Sequence, residues 1–133
     1  MNDCIFCRVV RGELPSSKVY ENDNVLAFFD VNPVSEYHTL VIPKKHYKDV
    51  FEIPEEDLLQ ITSAIKNITS LLKEKVGIEN VQIINSSGSQ AQQDVFHIHF
   101  HIVPRRTGDN QDIHWTPRTE LGERFTALLE KLQ

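Results

Sequence analysis

Residues 97–103 read His-Ile-His-Phe-His-Ile-Val, in which polar and apolar side chains alternate from His97 through Ile102. On a helix His97 and His101 would meet while His99 faced away, whereas in an extended chain residues two apart share a face. The alternation therefore selects a strand, with three imidazoles in a row on one face and Ile98, Phe100 and Ile102 turned toward a core on the other. Such a strand needs a sheet to pair with and a layer to cover its apolar face. Half of the six histidines fall here, and a row of three is more than a hydrogen-bonded core histidine requires. Two chemistries use such a row: a metal held by three imidazoles, or a histidine nucleophile flanked by histidines that orient it and hold substrate oxygens.

The remaining chain supplies the sheet and its cover. Lys18 to Glu21 and Val25 to Asp30, divided by Asn22-Asp23-Asn24, read as a hairpin. His38 to Ile42 reads as a third strand closed by Pro43, Asn80 to Asn85 as a fourth and Val95 to Val103 as the last, ended by Pro104. Between the third and fourth, Pro54 fits the first helical position, followed by Glu55, Glu56 and Asp57 at the positive end of the helix dipole. Leu58, Ile61, Ile65, Ile68, Leu72 and Val76 recur at three and four, giving one apolar stripe that Gly77 stops. A short helix over Cys4 to Val10, capped by Asp3 and stopped by Gly12, opens the chain. Ser86 to Gln93 is a polar loop, Arg105 to Thr116 is loop-like, and Thr116-Pro117 introduces a final helix with Leu121, Phe125, Leu128, Leu129 and Leu132 at helical spacing. About five strands with one long helix predict an α+β fold with an antiparallel sheet.

The 133 residues suit one domain spanning 1–133, with a core over about 4–106 and a C-terminal loop and helix over 107–133. A net charge of −5 excludes the basic footprint of a duplex nucleic-acid binder. No apolar run approaches a membrane span and no signal-peptide pattern opens the chain, so a soluble, cytoplasmic protein is expected. Cys4 and Cys7 stand three apart. That spacing leaves free thiols, a redox pair and half of a metal site open.

The segment His97 to Val103 fits the pattern His-φ-His-φ-His-φ-φ, with φ apolar, and resembles the histidine triad (HIT) family of nucleotide hydrolases and transferases. Cys4-Ile5-Phe6-Cys7, Gly12-Glu13-Leu14-Pro15, Ala27-Phe28-Phe29-Asp30, His38 to His46, Asn85 and Gln93 to His97 follow in the order and spacing of its histidine triad nucleotide-binding protein branch. The resemblance implies that His99 attacks the α-phosphorus of a nucleoside monophosphate derivative and carries a covalent nucleotidyl group that water releases. It makes His101 the donor to phosphate oxygens and His38 the partner that orients the nucleophile. Asp30 is placed on the ribose hydroxyls, Phe6, Val9, Leu14, Phe28 and Val31 around the base, and Asn85 at the phosphate loop. Histidine at position 101, where the hexose-phosphate uridylyltransferases of the family have glutamine, places the chain with the hydrolases. The sequence departs from the family at Asp94, where many members carry a hydroxyl, and at Tyr37, where a small residue is common.

The resemblance further implies a structural zinc on Cys4, Cys7, His46 and His97, with no organic cofactor. It implies purine nucleotide partners such as AMP or GMP derivatives, a homodimer, and a site for Trp115 near the neighbouring subunit. The activity it favours is nucleoside phosphoramidase. Competing readings are a dinucleoside polyphosphate hydrolase, a nucleotide-binding sensor or scaffold with incidental turnover, and a metalloenzyme using His97, His99 and His101 on one ion.

Overall fold

A computed structural model describes residues 3–133. Strands β1 (Lys18–Glu21), β2 (Val25–Phe29), β3 (Thr39–Pro43), β4 (Val81–Asn85) and β5 (Phe100–Pro104) form one antiparallel sheet in the order β1-β2-β3-β5-β4. Helices α1 (Ile5–Val10), α2 (Glu55–Val76) and α3 (Phe125–Glu130) complete an α+β fold. Among the described residues no helix is long and apolar enough to cross a membrane.

Both faces of the sheet are covered, which is why β2 and β3 are near-continuous apolar runs with little polar alternation. Val25, Ala27, Val41, Ile98 and Ile102 project to the face under α2 and pack with Ile61, Ala64, Ile65, Ile68 and Leu72. Ile68 is fully buried there, so Ile68→Ala would cost about 2–5 kcal/mol. Leu26, Phe28, Leu40 and Ile42 project the other way and pack with Phe6 and Val9 of α1. Because α1 has only six residues, it roofs part of this second face. The histidines lie on it.

The long helix ends as its sequence requires: Gly77 takes φ 72°, its N–H donates to Lys73 O at 3.1 Å, and the Ile78 N–H donates to Leu72 O at 3.3 Å. Several boundaries differ from the sequence reading. Pro54 sits one residue outside α2 as its cap, and Val76 is exposed beyond the stripe. Cys4, and not Asp3, caps α1: its Sγ accepts from the Cys7 N–H at 3.3 Å. β3 runs from Thr39 through Pro43, leaving His38 just before it, and Asp30 falls just past β2.

The largest difference is β5, which begins at Phe100 where a strand from Val95 was expected. The ladder stops because its partners give out: the last pairs are Val41 with Phe100 on one side and Asn85 with Phe100 on the other. Over 97–99 other groups take up the backbone. The Ile98 N–H donates to Tyr47 O at 2.7 Å, and the Asn85 side-chain amide donates to His99 O at 3.0 Å. Alternation nevertheless persists, since Ile98 remains buried under α2 while His97 and His99 are buried on the opposite face.

At the C-terminus the expected helix forms only in its second half. Thr119–Arg124 winds as a 3₁₀ helix and α3 follows. Leu121, Phe125, Leu128, Leu129 and Leu132 are all exposed, as is Trp115, so among the described residues no core buries this segment and helical spacing there does not report burial.

Candidate active site

The rings are held by a chain of hydrogen bonds from which each neutral tautomer follows. The Val34 N–H donates to His38 Nδ1 at 3.1 Å, so the His38 proton is on Nε2, 2.9 Å from His101 Nδ1. His101 accepts at Nδ1 and keeps its own proton on Nε2. For His99, Nδ1 lies 2.9 Å from the His97 carbonyl, which can only accept. Its proton is therefore on Nδ1 and Nε2 keeps a lone pair. Burial pulls His38 and His101 below the usual imidazole pKa; the neighbouring rings add to the effect at His101 and Asp30 opposes it at both.

His99 and His101 border a cavity of about 330 Å³ between α1 and the sheet, within the size range of small-molecule sites. Phe6, Val9, Leu14, Phe28, Val31, Asp30 and Asp94 line it, so all these sequence-selected positions converge. Phe6 meets the His99 ring edge-on at 5.1 Å and Phe28 at 5.7 Å. The cavity lining thus combines aromatic and aliphatic side chains with two imidazoles and two carboxylates. Asp30 does two things: Oδ1 accepts the Asn32 N–H at 2.8 Å as a turn cap, while Oδ2 lies 3.5 Å from His38 Nε2.

Two positions take different partners from those the resemblance implies. His38 meets His101 and not His99, because the β3–β5 register sets Leu40 opposite His101. The carbonyl of His97 orients His99 instead. Asn85 does not line the cavity; its amide carries the His99 carbonyl, and its own oxygen accepts from the Ser87 hydroxyl at 2.9 Å. Gln93 is a contributor the sequence reading gave no role. Nearly buried, it donates to Lys48 O and Val95 O and accepts the Gly88 N–H at 2.7 Å, tying the loop before the histidines to the segment after β3. Its burial had no local signal, since every partner is a distant or neighbouring backbone group. Tyr37 adopts φ 67° and packs against Phe29.

Behind the row, Cys4, Cys7, His46 and His97 bring their donor atoms within 4.8 Å of one another. Around a tetrahedral zinc with Zn–S about 2.3 Å and Zn–N about 2.0–2.1 Å, neighbouring donors stand about 3.3–3.8 Å apart. Here Cys4 Sγ to His97 Nδ1 is 3.4 Å, Cys7 Sγ to His46 Nδ1 is 3.3 Å and Cys7 Sγ to His97 Nδ1 is 3.6 Å. His97 donates Nε2–H to the Pro43 carbonyl at 2.8 Å, which leaves Nδ1 free to face the sulfurs, the outer-shell arrangement of a metal-binding imidazole. Without a cation, burial and the adjacent Cys4 push the Cys7 thiol up to about 11. The residues fit zinc. A second group, Asp30, His38 and His101, also converges, but the direct His38–His101 hydrogen bond accounts for that closeness. Among the described residues His97, His99 and His101 form no common metal group, which removes support for a three-imidazole ion.

An α+β sheet that gathers a histidine row, an apolar cavity and a cysteine–histidine quartet on one face defines a domain whose chemistry rests on imidazole. The chain belongs to the HIT domain family, which it matches over residues 11–108, within the branch of histidine triad nucleotide-binding proteins. It is 45% identical over 108 residues to an uncharacterised HIT-like protein of Methanocaldococcus jannaschii, covering 81% of this chain and 83% of that one. An adenosine 5′-monophosphoramidase of Candida albicans is 32% identical over 135 residues, covering 98% and 89%. Among solved structures, a HIT family protein from Bacillus anthracis superposes with a TM-score of 0.91 at 33% identity, covering 98% of this chain and 95% of that one. A zinc-bound histidine triad family protein from Mycobacterium smegmatis does so with a TM-score of 0.79 at 34% identity, covering 99% of each.

Proposed function

We propose that this protein hydrolyses nucleoside 5′-monophosphate derivatives, purine phosphoramidates in particular, through a nucleotidyl-His99 intermediate. The observation that carries the reading is the tautomer chain: it gives His99 a free Nε2 lone pair and His101 an Nε2–H beside one cavity. In the first step His99 Nε2 forms a bond to the α-phosphorus and the bond from phosphorus to the leaving nitrogen breaks, its electron pair going with the amine. His101 Nε2–H donates to the phosphate oxygens as charge develops on them. Water then displaces His99 and releases the nucleoside monophosphate. Asp30 accepts from the ribose hydroxyls through Oδ2, and Phe6, Val9, Leu14, Phe28 and Val31 take the base. Asn85 positions the His99 backbone. The likeness to the Candida albicans monophosphoramidase supports this substrate class over others on the same fold.

In this reading Cys4, Cys7, His46 and His97 hold a zinc that joins α1 to the loop after β3 and to the histidine segment. It supplies cross-linking in place of a larger core, and no step of the reaction passes through it. A second copy of the chain covers the exposed apolar residues of the C-terminal segment, Trp115 among them; sedimentation at twice the chain mass, lost on removing 107–133, checks this. Turnover itself is tested with adenosine 5′-phosphoramidate and diadenosine polyphosphates. The phosphoramidate is expected to be the better substrate by kcat/KM, with His99→Ala losing at least about a thousandfold while still binding AMP. Retention of more than about a tenth of wild-type kcat, a barrier change under about 1.4 kcal/mol, rules out the covalent route.

A further inference from the structure

We infer that Asp94 selects the leaving group, favouring amines that carry a positive charge and rejecting anionic ones; the inference rests on the proposed transfer to His99.

Asp94 stands where many family members carry a hydroxyl, and its Oδ1 lies 3.6 Å from His99 Nε2. The carboxylate is aimed by its neighbour, since the same oxygen accepts the Val95 N–H at 2.8 Å. It lines the cavity that takes the nucleotide and also a second hollow of about 330 Å³, whose other walls include Asp3, Ile5, Val95 and Phe96. Ile5 and Val95 belong to both walls, so the two spaces adjoin at Asp94. The proposal seats the nucleotide against Phe6 and Phe28 with its phosphorus at His99 Nε2, and its leaving group at this boundary beside Asp94.

Charge decides what fits there. Among the described residues the hollow is lined by the carboxylates of Asp3 and Asp94, by Cys4 and by the apolar side chains of Ile5, Val95 and Phe96, and Lys48 Nζ stands 5.7 Å from the Phe96 ring centroid. Every substrate brings the same α-phosphate, so repulsion between that group and Asp94 does not discriminate. The leaving group does. An ammonium on an aliphatic tail offsets the repulsion and lays its carbon chain on Ile5 and Phe96, while a polyphosphate adds like charge next to the carboxylate. Specificity then comes as much from the repelled anion as from the attracted cation. In the reaction the departing nitrogen takes the P–N electron pair and one proton from solvent, and a proton returns to solvent when water releases the nucleotide, so Asp94 is unchanged over the cycle.

The test uses three adenosine 5′-phosphoramidates with N-alkyl tails of equal length ending in ammonium, methyl or carboxylate. With the wild type, kcat/KM is expected to fall in that order by about tenfold or more from end to end, and in Asp94→Asn the spread is expected to shrink to within about threefold. With a side chain 83% exposed, Asp94 can be replaced without unfolding, which a melting curve verifies. A wild-type spread near one, or a spread that survives Asp94→Asn, overturns the inference while leaving the hydrolase reading intact. If no compound turns over, that reading falls, and the affinities of the three for His99→Ala and His99→Ala/Asp94→Asn decide the charge selectivity separately: a spread that Asp94→Asn removes upholds it, and equal affinities refute it.

Discussion

Replacing His38 probes the hydrogen-bond chain that gives each ring its role. His38 is 4% exposed, receives the Val34 N–H at Nδ1 and donates Nε2–H to His101 Nδ1 at 2.9 Å. In His38→Ala the His101 Nδ1 has no donor, and its proton redistributes between the two ring nitrogens. An unsatisfied polar group costs about 1–3 kcal/mol when buried, and the His101 side chain is 27% exposed, so water takes up part of the deficit and about 1–2 kcal/mol remains. If that penalty falls on the transition state, kcat drops about 5–30-fold. His99 is held by the His97 carbonyl at 2.9 Å, outside this chain, so the nucleophile survives and KM stays near the wild-type value. Steady-state kinetics on adenosine 5′-phosphoramidate measure both parameters. His38→Gln, whose amide can donate toward His101, is expected to recover part of the loss. A fall in His38→Ala as deep as that of His99→Ala would show that His38 acts on the nucleophile after all, and an unchanged kcat would show that the His101 tautomer does not matter.

Metal analysis of the purified protein is expected to find about one zinc per chain, lost in Cys4→Ser/Cys7→Ser with a lower melting temperature; zinc that persists there and vanishes in His99→Ala would place the ion on the histidine row instead. For Asp30→Ala, AMP affinity should weaken by at least about tenfold while 2′,3′-dideoxy-AMP is nearly unaffected, because charge-assisted bonds from ribose hydroxyls are worth about 1.5–3 kcal/mol each; equal weakening of both would reduce Asp30 to the turn cap it makes with Asn32. Burial holds His38 and His101 below their unfolded pKa near 6.5, so the folded chain binds fewer protons than the unfolded one. The stability they contribute is present above about pH 6.5 and is lost as the pH falls toward their folded values. Urea midpoints at pH 7.5 and 5.5 should therefore separate more in the wild type than in His38→Ala/His101→Gln, and equal separations would contradict the assignment.

What residues 97–103 determined by themselves was a face: period two sends Ile98, Phe100 and Ile102 to one side and the imidazoles to the other, and this survives even where the ladder does not. The α2 stripe and Gly77 were equally legible, since period 3.6 and a left-handed glycine act within a few residues. Phe6, Val9, Leu14, Phe28, Asp30 and Val31, which the resemblance selected and no local period did, line one cavity; Asn85 does not, since its amide carries the His99 carbonyl just ahead of β5. Three matters waited for the tertiary structure: the length of β5, the partner of His38, and the meeting of Cys4 and Cys7 with His46 and His97, 39 and 90 residues farther along in the Cys7 contacts. Each depends on register between segments. Side-chain period says which way a residue points, but a shift of two along the β3–β5 pair leaves every residue on its face while giving His38 a different ring to hold.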